Sequence, residues 1–156
     1  MGVNIVLYQP DIPQNTGNIA RTCAATNTKL ILIRPLGFSV RDKYLKRAGL
    51  DYWDKLDIEY YDDIYKLIEE KEASKFYFST TKAKKYYSEI SYPEDCYLVF
   101  GKETAGLPER IHEKYEEQRI KIPMIKNEDA RSLNLANSVN IVLYEVLRQK
   151  NFPNLY

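Results

Sequence analysis

The sequence predicts an α/β domain, a mostly parallel sheet with helices on both faces. Three observations carry that prediction. Short apolar runs alternate along the chain with segments whose apolar residues recur at helical spacing. The runs, NIVLY near the start and YLVF before residue 101 among them, are apolar throughout rather than alternating, as strands covered on both faces are. And 156 residues with no internal repeat, low-complexity stretch or obvious linker are most simply one domain over residues 1–156, with a core of its own.

Each element has its reason. Asn4 to Tyr8 is the first strand. A loop with Pro10 and Pro13 follows, ending in Gln14-Asn15-Thr16-Gly17-Asn18, and a helix is expected from about Asn18 to Ala25 with Ile19 and Cys23 on its inner face. Lys29 to Ile33 is the second strand, stopped by Arg34-Pro35. Asp42 to Ala48 reads as a basic helical turn or two, and Leu56 to Tyr60 as a short strand. Asp62 is the expected cap of a helix running through Glu72, with Ile64, Leu67 and Ile68 inward. Lys75 to Ser79, Tyr97 to Phe100 and Ile120 to Ile122 are the remaining strands, and Thr80 to Asp95 is the least regular stretch. Pro108 to Tyr115 reads as a helix with proline near its first position.

The last helix organises the rest. A polar loop, Lys126 to Arg131, leads into it, and Ser132 or Asn134 can cap it through a side-chain oxygen. Leu135, Val139, Val142, Leu143, Val146 and Leu147 recur at helical spacing and form a buried face. Ile141 and Tyr144 widen that stripe beyond what one packing neighbour needs, as a contact with a second subunit would.

Composition excludes several classes. A hydrophobic content of 44% with 29% charged residues is that of an ordinary soluble domain. No stretch approaches the ~20 apolar residues of a membrane span, and a strand-like segment directly after Met1 leaves no room for a secretory signal, so a cytoplasmic location is expected. Cys23 and Cys96 lie in no CxxC and read as free thiols. One histidine, His112, argues against zinc and against a His-based triad, and no metal is expected. A net charge of +1 does not announce nucleic acid, although Arg41, Lys43, Lys46 and Arg47, and Lys82, Lys84 and Lys85, form basic patches.

In parallel sheets, ligands bind beyond the carboxyl ends of the strands. Three loops there carry unusual combinations. In Asn15-Thr16-Gly17-Asn18-Ile19-Ala20-Arg21, the asparagines can cap a helix that places Arg21 one turn in. There a guanidinium fork suits an anionic group. Phe100-Gly101-Lys102-Glu103-Thr104-Ala105-Gly106 flanks a carboxylate with glycines that allow a ligand close to the backbone; it is neither GxGxxG nor a Walker loop. Ser132-Leu133-Asn134 stands at the mouth of the last helix, where free N–H groups suit polar ligands. Read singly, each loop is equally well a capped helix or a glycine turn.

Together they are more specific. NxGNxxR, FGxExxG and IPM…SLN resemble the three motifs of the SpoU-type RNA 2′-O-ribose methyltransferases of the SPOUT superfamily, over nearly the whole chain. The short length, the opening NIVLYQPDIPQNTGNIARTCAAT and the segment GFSVRDKYLKRAGLDYW are similar to the minimal bacterial tRNA (cytidine/uridine-34) 2′-O-methyltransferases.

The resemblance implies a C-terminal deep trefoil knot over roughly residues 101–148, with S-adenosyl-L-methionine bent inside it and S-adenosyl-L-homocysteine as product. It implies that Ser79, Gly101, Ile122 and Ser132 hold the adenosine largely through backbone groups, with Met124 and Leu133 as apolar walls; Ser79 stands where the family often has a more apolar residue. It implies a homodimer in which Arg21, with Asn15 beside it, reaches the partner's site, and it assigns Glu103, Ser132 and Asn134 to the remaining polar positions. The implied substrate is the wobble nucleotide in the anticodon loop of leucine tRNAs. Family proposals give the arginine the role of base. A guanidinium is effectively always protonated, so binding phosphate and stabilising the developing 2′-oxyanion fits it better. Glu103 or Ser132 is then the candidate to accept or relay the proton. The alternatives are methylation at another tRNA or rRNA position, a non-catalytic RNA-binding module of the same fold, and a nucleotide-binding or dimerisation protein without RNA.

Overall fold

A computed structural model of the chain describes residues 2–41, 43, 47, 53, 56–126, 129 and 132–156. The basic segment expected over residues 42–48 lies outside them apart from Lys43 and Arg47, as does most of the polar loop before the last helix.

The apolar runs become strands β1 (Val3–Tyr8), β2 (Lys29–Ile33), β3 (Ile58–Tyr61), β4 (Phe76–Ser79), β5 (Lys85–Tyr86), β6 (Cys96–Phe100) and β7 (Arg119–Lys121). They form one seven-stranded sheet in the order β3-β2-β1-β6-β4-β7-β5, and every pairing is parallel. Among the described residues the α-helices that accompany them are α1 (Pro13–Thr26), α2 (Ile64–Lys71), α3 (Glu109–Lys114) and α4 (Leu135–Gln149).

The period of two along each strand divides the core. On one face Ile5, Leu7, Leu30, Leu32, Leu98 and Phe100 pack with Ile19 and Cys23 of α1 and with Val139, Val142 and Val146 of α4. On the other, Val6, Ile31, Ile33, Phe76, Phe78 and Val99 pack with Ile64, Leu67 and Ile68 of α2 and Ile111 of α3. Both faces of the central sheet are covered, which is why β1, β2 and β6 are apolar nearly throughout.

Several boundaries move, each for a local reason. Helix α1 begins at Pro13, not Asn18: proline, whose missing N–H is no loss in a first turn, holds N1, while Asn15, Thr16 and Gly17 are buried helical residues. The N-cap position is Ile12, and no side chain caps the helix, so Asn15 and Asn18 do not play that part. Arg21 is consequently about two turns in rather than one. The cap of α2 is Asp63, whose Oδ1 accepts from the Tyr65 N–H at 2.9 Å, because Asp62 is paired with Arg34 at 2.9 Å. Strand β7 ends at Lys121, which leaves Ile122 in the following loop. The stretch expected to be irregular contains β5. Asn134, not Ser132, caps α4, its Oδ1 accepting from the N–H groups of Ala136 (2.9 Å) and Asn137 (3.3 Å).

Candidate active site

The loops after β1, β4, β6 and β7 leave the sheet at the same edge and enclose a cavity of about 610 Å³. That size suits a nucleoside-sized ligand. Of the residues singled out in the sequence, Ser79, Gly101, Ile122, Met124, Ser132 and Leu133 line it, and so do Asn15, Glu103 and Asn134. Residues far apart in the chain are therefore brought to one place.

Glu103 is the centre of that convergence. Its Oε1 accepts from the Asp11 N–H at 2.9 Å, and its Oε2 accepts from the Ile12 N–H at 2.9 Å and from Asn15 Nδ2 at 3.1 Å. Asn134 Nδ2 donates to Asn15 Oδ1 at 3.0 Å, while its own Oδ1 caps α4. One carboxylate and two amides thus join the start of α1, the loop after β6 and the start of α4. A carboxylate accepting three N–H groups is a strong tie, since each bond is charge-assisted. Thr104 tightens it by donating its hydroxyl to Asp11 Oδ2 at 2.7 Å. Asp11 and Thr104 were not legible as site residues, because their partnership spans distant loops and Thr104 fills an unspecified position of FGxExxG. Glu103 is engaged with its own chain, a clasp rather than an unoccupied acceptor.

The two glycines of the loop serve the loop itself. A Cβ on Gly101 would lie 2.3 Å from the Gly106 carbonyl carbon and 2.6 Å from the Leu107 nitrogen. Gly106 has φ +69°, the left-handed region that glycine occupies at no steric cost. The chain doubles back there, with the Lys102 N–H donating to the Gly106 carbonyl at 3.3 Å and the Gly106 N–H donating to the Lys102 carbonyl at 2.9 Å. The tight approach that the glycines permit is between two strands of one loop.

Arg21 is exposed on α1 and is not among the residues that line this cavity. Ile19, Ala20 and Cys23 take the buried side of the helix. Ser132 is exposed at the cavity edge, and Met124 and Leu133 are half-exposed apolar walls.

Lys82 and His112 also line the cavity, the second unmarked by the sequence because it stands in no motif. His112 is buried, and its Nδ1 has no hydrogen-bond partner among the described residues. Burial, then the Lys82 and Arg119 cations, lower its pKa against the opposing Glu109, so the imidazole is held neutral. Lys82 Nζ donates to Glu109 Oε2 at 3.0 Å. Burial pushes the thiols of Cys23 and Cys96 up to about 12, so neither is a nucleophile at neutral pH. Among the described residues no group of three or more His, Cys, Asp or Glu side chains is arranged to hold a metal ion.

Comparison with known proteins agrees with this geometry. The SpoU rRNA Methylase family matches residues 2–144. A Listeria monocytogenes protein is 54% identical over 155 residues, covering 97% of this chain and 90% of its own. An Escherichia coli (strain K12) protein named tRNA (cytidine(34)-2′-O)-methyltransferase is 45% identical over 152 residues, covering 97% of this chain and 96% of its own. A solved structure described as "Structural insights into the 2-OH methylation of C/U34 on tRNA" superposes with a TM-score of 0.87 at 41% identity, over 96% of each chain.

Proposed function

The chain belongs to the SpoU rRNA methylase family, and from that premise we propose that it methylates the ribose 2′-hydroxyl of the wobble nucleotide, position 34, of tRNA, using S-adenosyl-L-methionine. The observation that carries the reading is the Glu103–Asn15–Asn134 clasp, which closes the three motif loops around one cavity at the carboxyl edge of the sheet. Loops from three distant stretches held at a fixed spacing suit a site that must align two reactants. The substrate we favour is the anticodon loop of leucine tRNAs, with cytidine or a modified uridine at the wobble position. We further propose that the working form is a cytoplasmic homodimer and that residues 101–148 thread a trefoil knot.

The residues present fit the cofactor. Gly101, Ile122 and Ser132 border the cavity beside Ser79, and Met124 and Leu133 supply apolar walls for an adenine. When bound, S-adenosyl-L-methionine supplies a methyl group on a sulfonium and leaves as S-adenosyl-L-homocysteine. The chain's task is to hold the 2′-oxygen in line with that methyl and to stabilise the charge that builds on the oxygen. Arg21 stands outside its own cavity and on the exposed side of α1, which supports a role across the dimer, where its fork holds the phosphate beside the target ribose. Glu103 is engaged by three N–H groups, so it acts by positioning, and the Ser132 hydroxyl at the cavity edge is the better relay for the departing proton.

The test is methyl transfer to an unmodified leucine tRNA by the purified chain, followed by nuclease digestion and mass spectrometry. One ribose methyl at nucleotide 34 is expected. A methyl elsewhere would keep the chemistry and discard the target, and cofactor binding without transfer would leave a binding module.

A further inference from the structure

Adjacent tyrosines on the outer edge of the sheet are used differently. Tyr87 is partly buried and packs against the core cluster shared by α1 and α4. Tyr86, its neighbour on β5, belongs to neither core cluster and is 42% exposed. Strand β5 is the last in the sheet and pairs with β7 alone, in the register Lys85 with Ile120 and Tyr86 with Lys121. An exposed aromatic on a sheet edge is a liability for aggregation, and chains usually blunt such edges with charge. Here the charge is cationic and close: Lys84 and Lys85 precede the ring, and Lys121 Nζ lies 5.6 Å from its centroid.

That cluster borders the cavity. Lys121 lines it, as does Lys82, and Ile122 continues the chain into its wall. Among the described residues the carboxylates paired with these cations are exposed: Glu109 is 3.0 Å from Lys82, and Glu117 is 3.7 Å from Lys85. Exposed pairs of this kind are weakly held and exchange readily for another anion.

We propose that Tyr86 is a stacking platform for an unpaired base of the RNA substrate, at the mouth of the cavity, with Lys84, Lys85 and Lys121 meeting the phosphates beside that base. The inference rests on the reading of the chain as an RNA methyltransferase and adds where the RNA lies. An exposed aromatic with one lysine over its face and two more just before it in the chain is a combination that suits single-stranded RNA, because every base has a π-face and every step carries a phosphate. A double-stranded stem offers no splayed base to such a ring, so the occupant is a loop nucleotide next to the one being methylated.

The experiment measures binding of a leucine tRNA to the intact protein, with 2-aminopurine placed in turn at the anticodon-loop positions flanking nucleotide 34. Wild-type protein is expected to quench one of these probes. Tyr86→Ala is expected to abolish that quenching and weaken binding about 5- to 150-fold, the range of one lost base–aromatic stack, while Tyr86→Phe retains both. The slope of log affinity against log salt should be unchanged in Tyr86→Ala and should fall by about 0.7 to 0.9 for each phosphate contact removed in Lys84→Ala and Lys85→Ala. Cofactor affinity and sedimentation mass should match wild type in all four variants. Wild-type tRNA affinity in Tyr86→Ala, with methyl transfer intact, overturns the platform and leaves the enzymatic reading standing. A changed sedimentation mass in that variant would make the ring a subunit contact instead. Wild-type protein that neither binds nor methylates tRNA would overturn both.

Discussion

The sheet has a hollow at each end, and the two are nearly equal in size, about 610 Å³ at the carboxyl edge and about 590 Å³ at the amino edge. Their chemistry differs. At the amino edge the charges satisfy one another: Lys29 is bonded to Glu59 and lies 3.6 Å from Asp57, and Lys75 lies 3.8 Å from Glu72 and 3.6 Å from Asp95. Asn4 Nδ2 donates to the Cys96 carbonyl at 3.0 Å. The Glu59 hydrogen bond raises the Lys29 pKa against the cost of burial. At the carboxyl edge a partly buried clasp ties the loops together at a fixed spacing, and His112 Nδ1 has no partner among the described residues. Volume does not identify a site; what remains unsatisfied around it does, together with its place at the ends of parallel strands.

The comparison breaks most visibly at Gly101. A side chain there meets the backbone of Gly106 and Leu107, not a flexible neighbour. Gly101→Val is expected to open the loop, lower the melting temperature and reduce methyl transfer to background. A glycine needed only to let a ligand near the backbone would give a different outcome, lost cofactor affinity in an otherwise intact protein. Calorimetry separates the two: an unchanged melting temperature with lost cofactor binding would show that the ligand, not the loop, needs the space.

Arg21 comes next. Its truncation should cost kcat roughly 100-fold or more, as loss of one oxyanion donor does, with the melting temperature unchanged because the side chain is exposed. Arg21→Lys should rescue poorly. Mixing Arg21→Ala subunits with Ser132→Trp subunits, whose cavity is filled, should restore one composite site per heterodimer. Confirmed heterodimers without activity would place Arg21 in its own subunit's chemistry.

Glu103→Gln sharpens the same edge with a smaller effect. The amide presents an N–H where Asp11 N, Ile12 N and Asn15 Nδ2 all donate, so one donor loses its acceptor. A bond to a charged group contributes about 1.5–3 kcal/mol, and a fall of that order in unfolding free energy is expected, with about a tenfold loss of kcat. A large kcat loss with stability unchanged would instead argue for Glu103 in proton transfer. At the opposite hollow, Lys75→Met should change stability by less than about 1 kcal/mol and leave methyl transfer untouched.

Strands β1, β2 and β6 were legible because both faces of the sheet are covered there, so their apolar runs are nearly unbroken. What escaped was decided by partners remote in sequence. Asn15, Thr16 and Gly17 look like a turn, yet Pro13 starts the helix before them and burial keeps them in it. Lys85 and Tyr86 form a strand although both are exposed, because β7 offers them an edge and no periodicity announces it. Glu103 was visible as a carboxylate between glycines, but its role depends on two N–H groups and an amide about ninety residues upstream, which no local pattern encodes.

The smallest effect separates the two hollows by their response to acid. Lys29 stays charged and paired through the neutral range, whereas His112 is held neutral by burial and by Lys82 and Arg119, against Glu109 and a backbone hydrogen bond with Leu107. A histidine whose folded pKa is depressed binds its proton later than the unfolded chain does, so stability is full above about pH 6.5, the unfolded value, and declines as pH falls below it. His112→Leu, which removes the titration, should match wild type in urea midpoint at pH 7.5 within the change in packing. It should then lose less stability than wild type between pH 6.5 and about 5, where the imidazole is forced to charge beside two cations. The chain's other carboxylates contribute equally to both proteins in that interval, so the difference between the two curves isolates this one group. Parallel curves from pH 7.5 to 5 would mean that His112 titrates normally, and that the carboxyl-edge cavity admits enough water to solvate it.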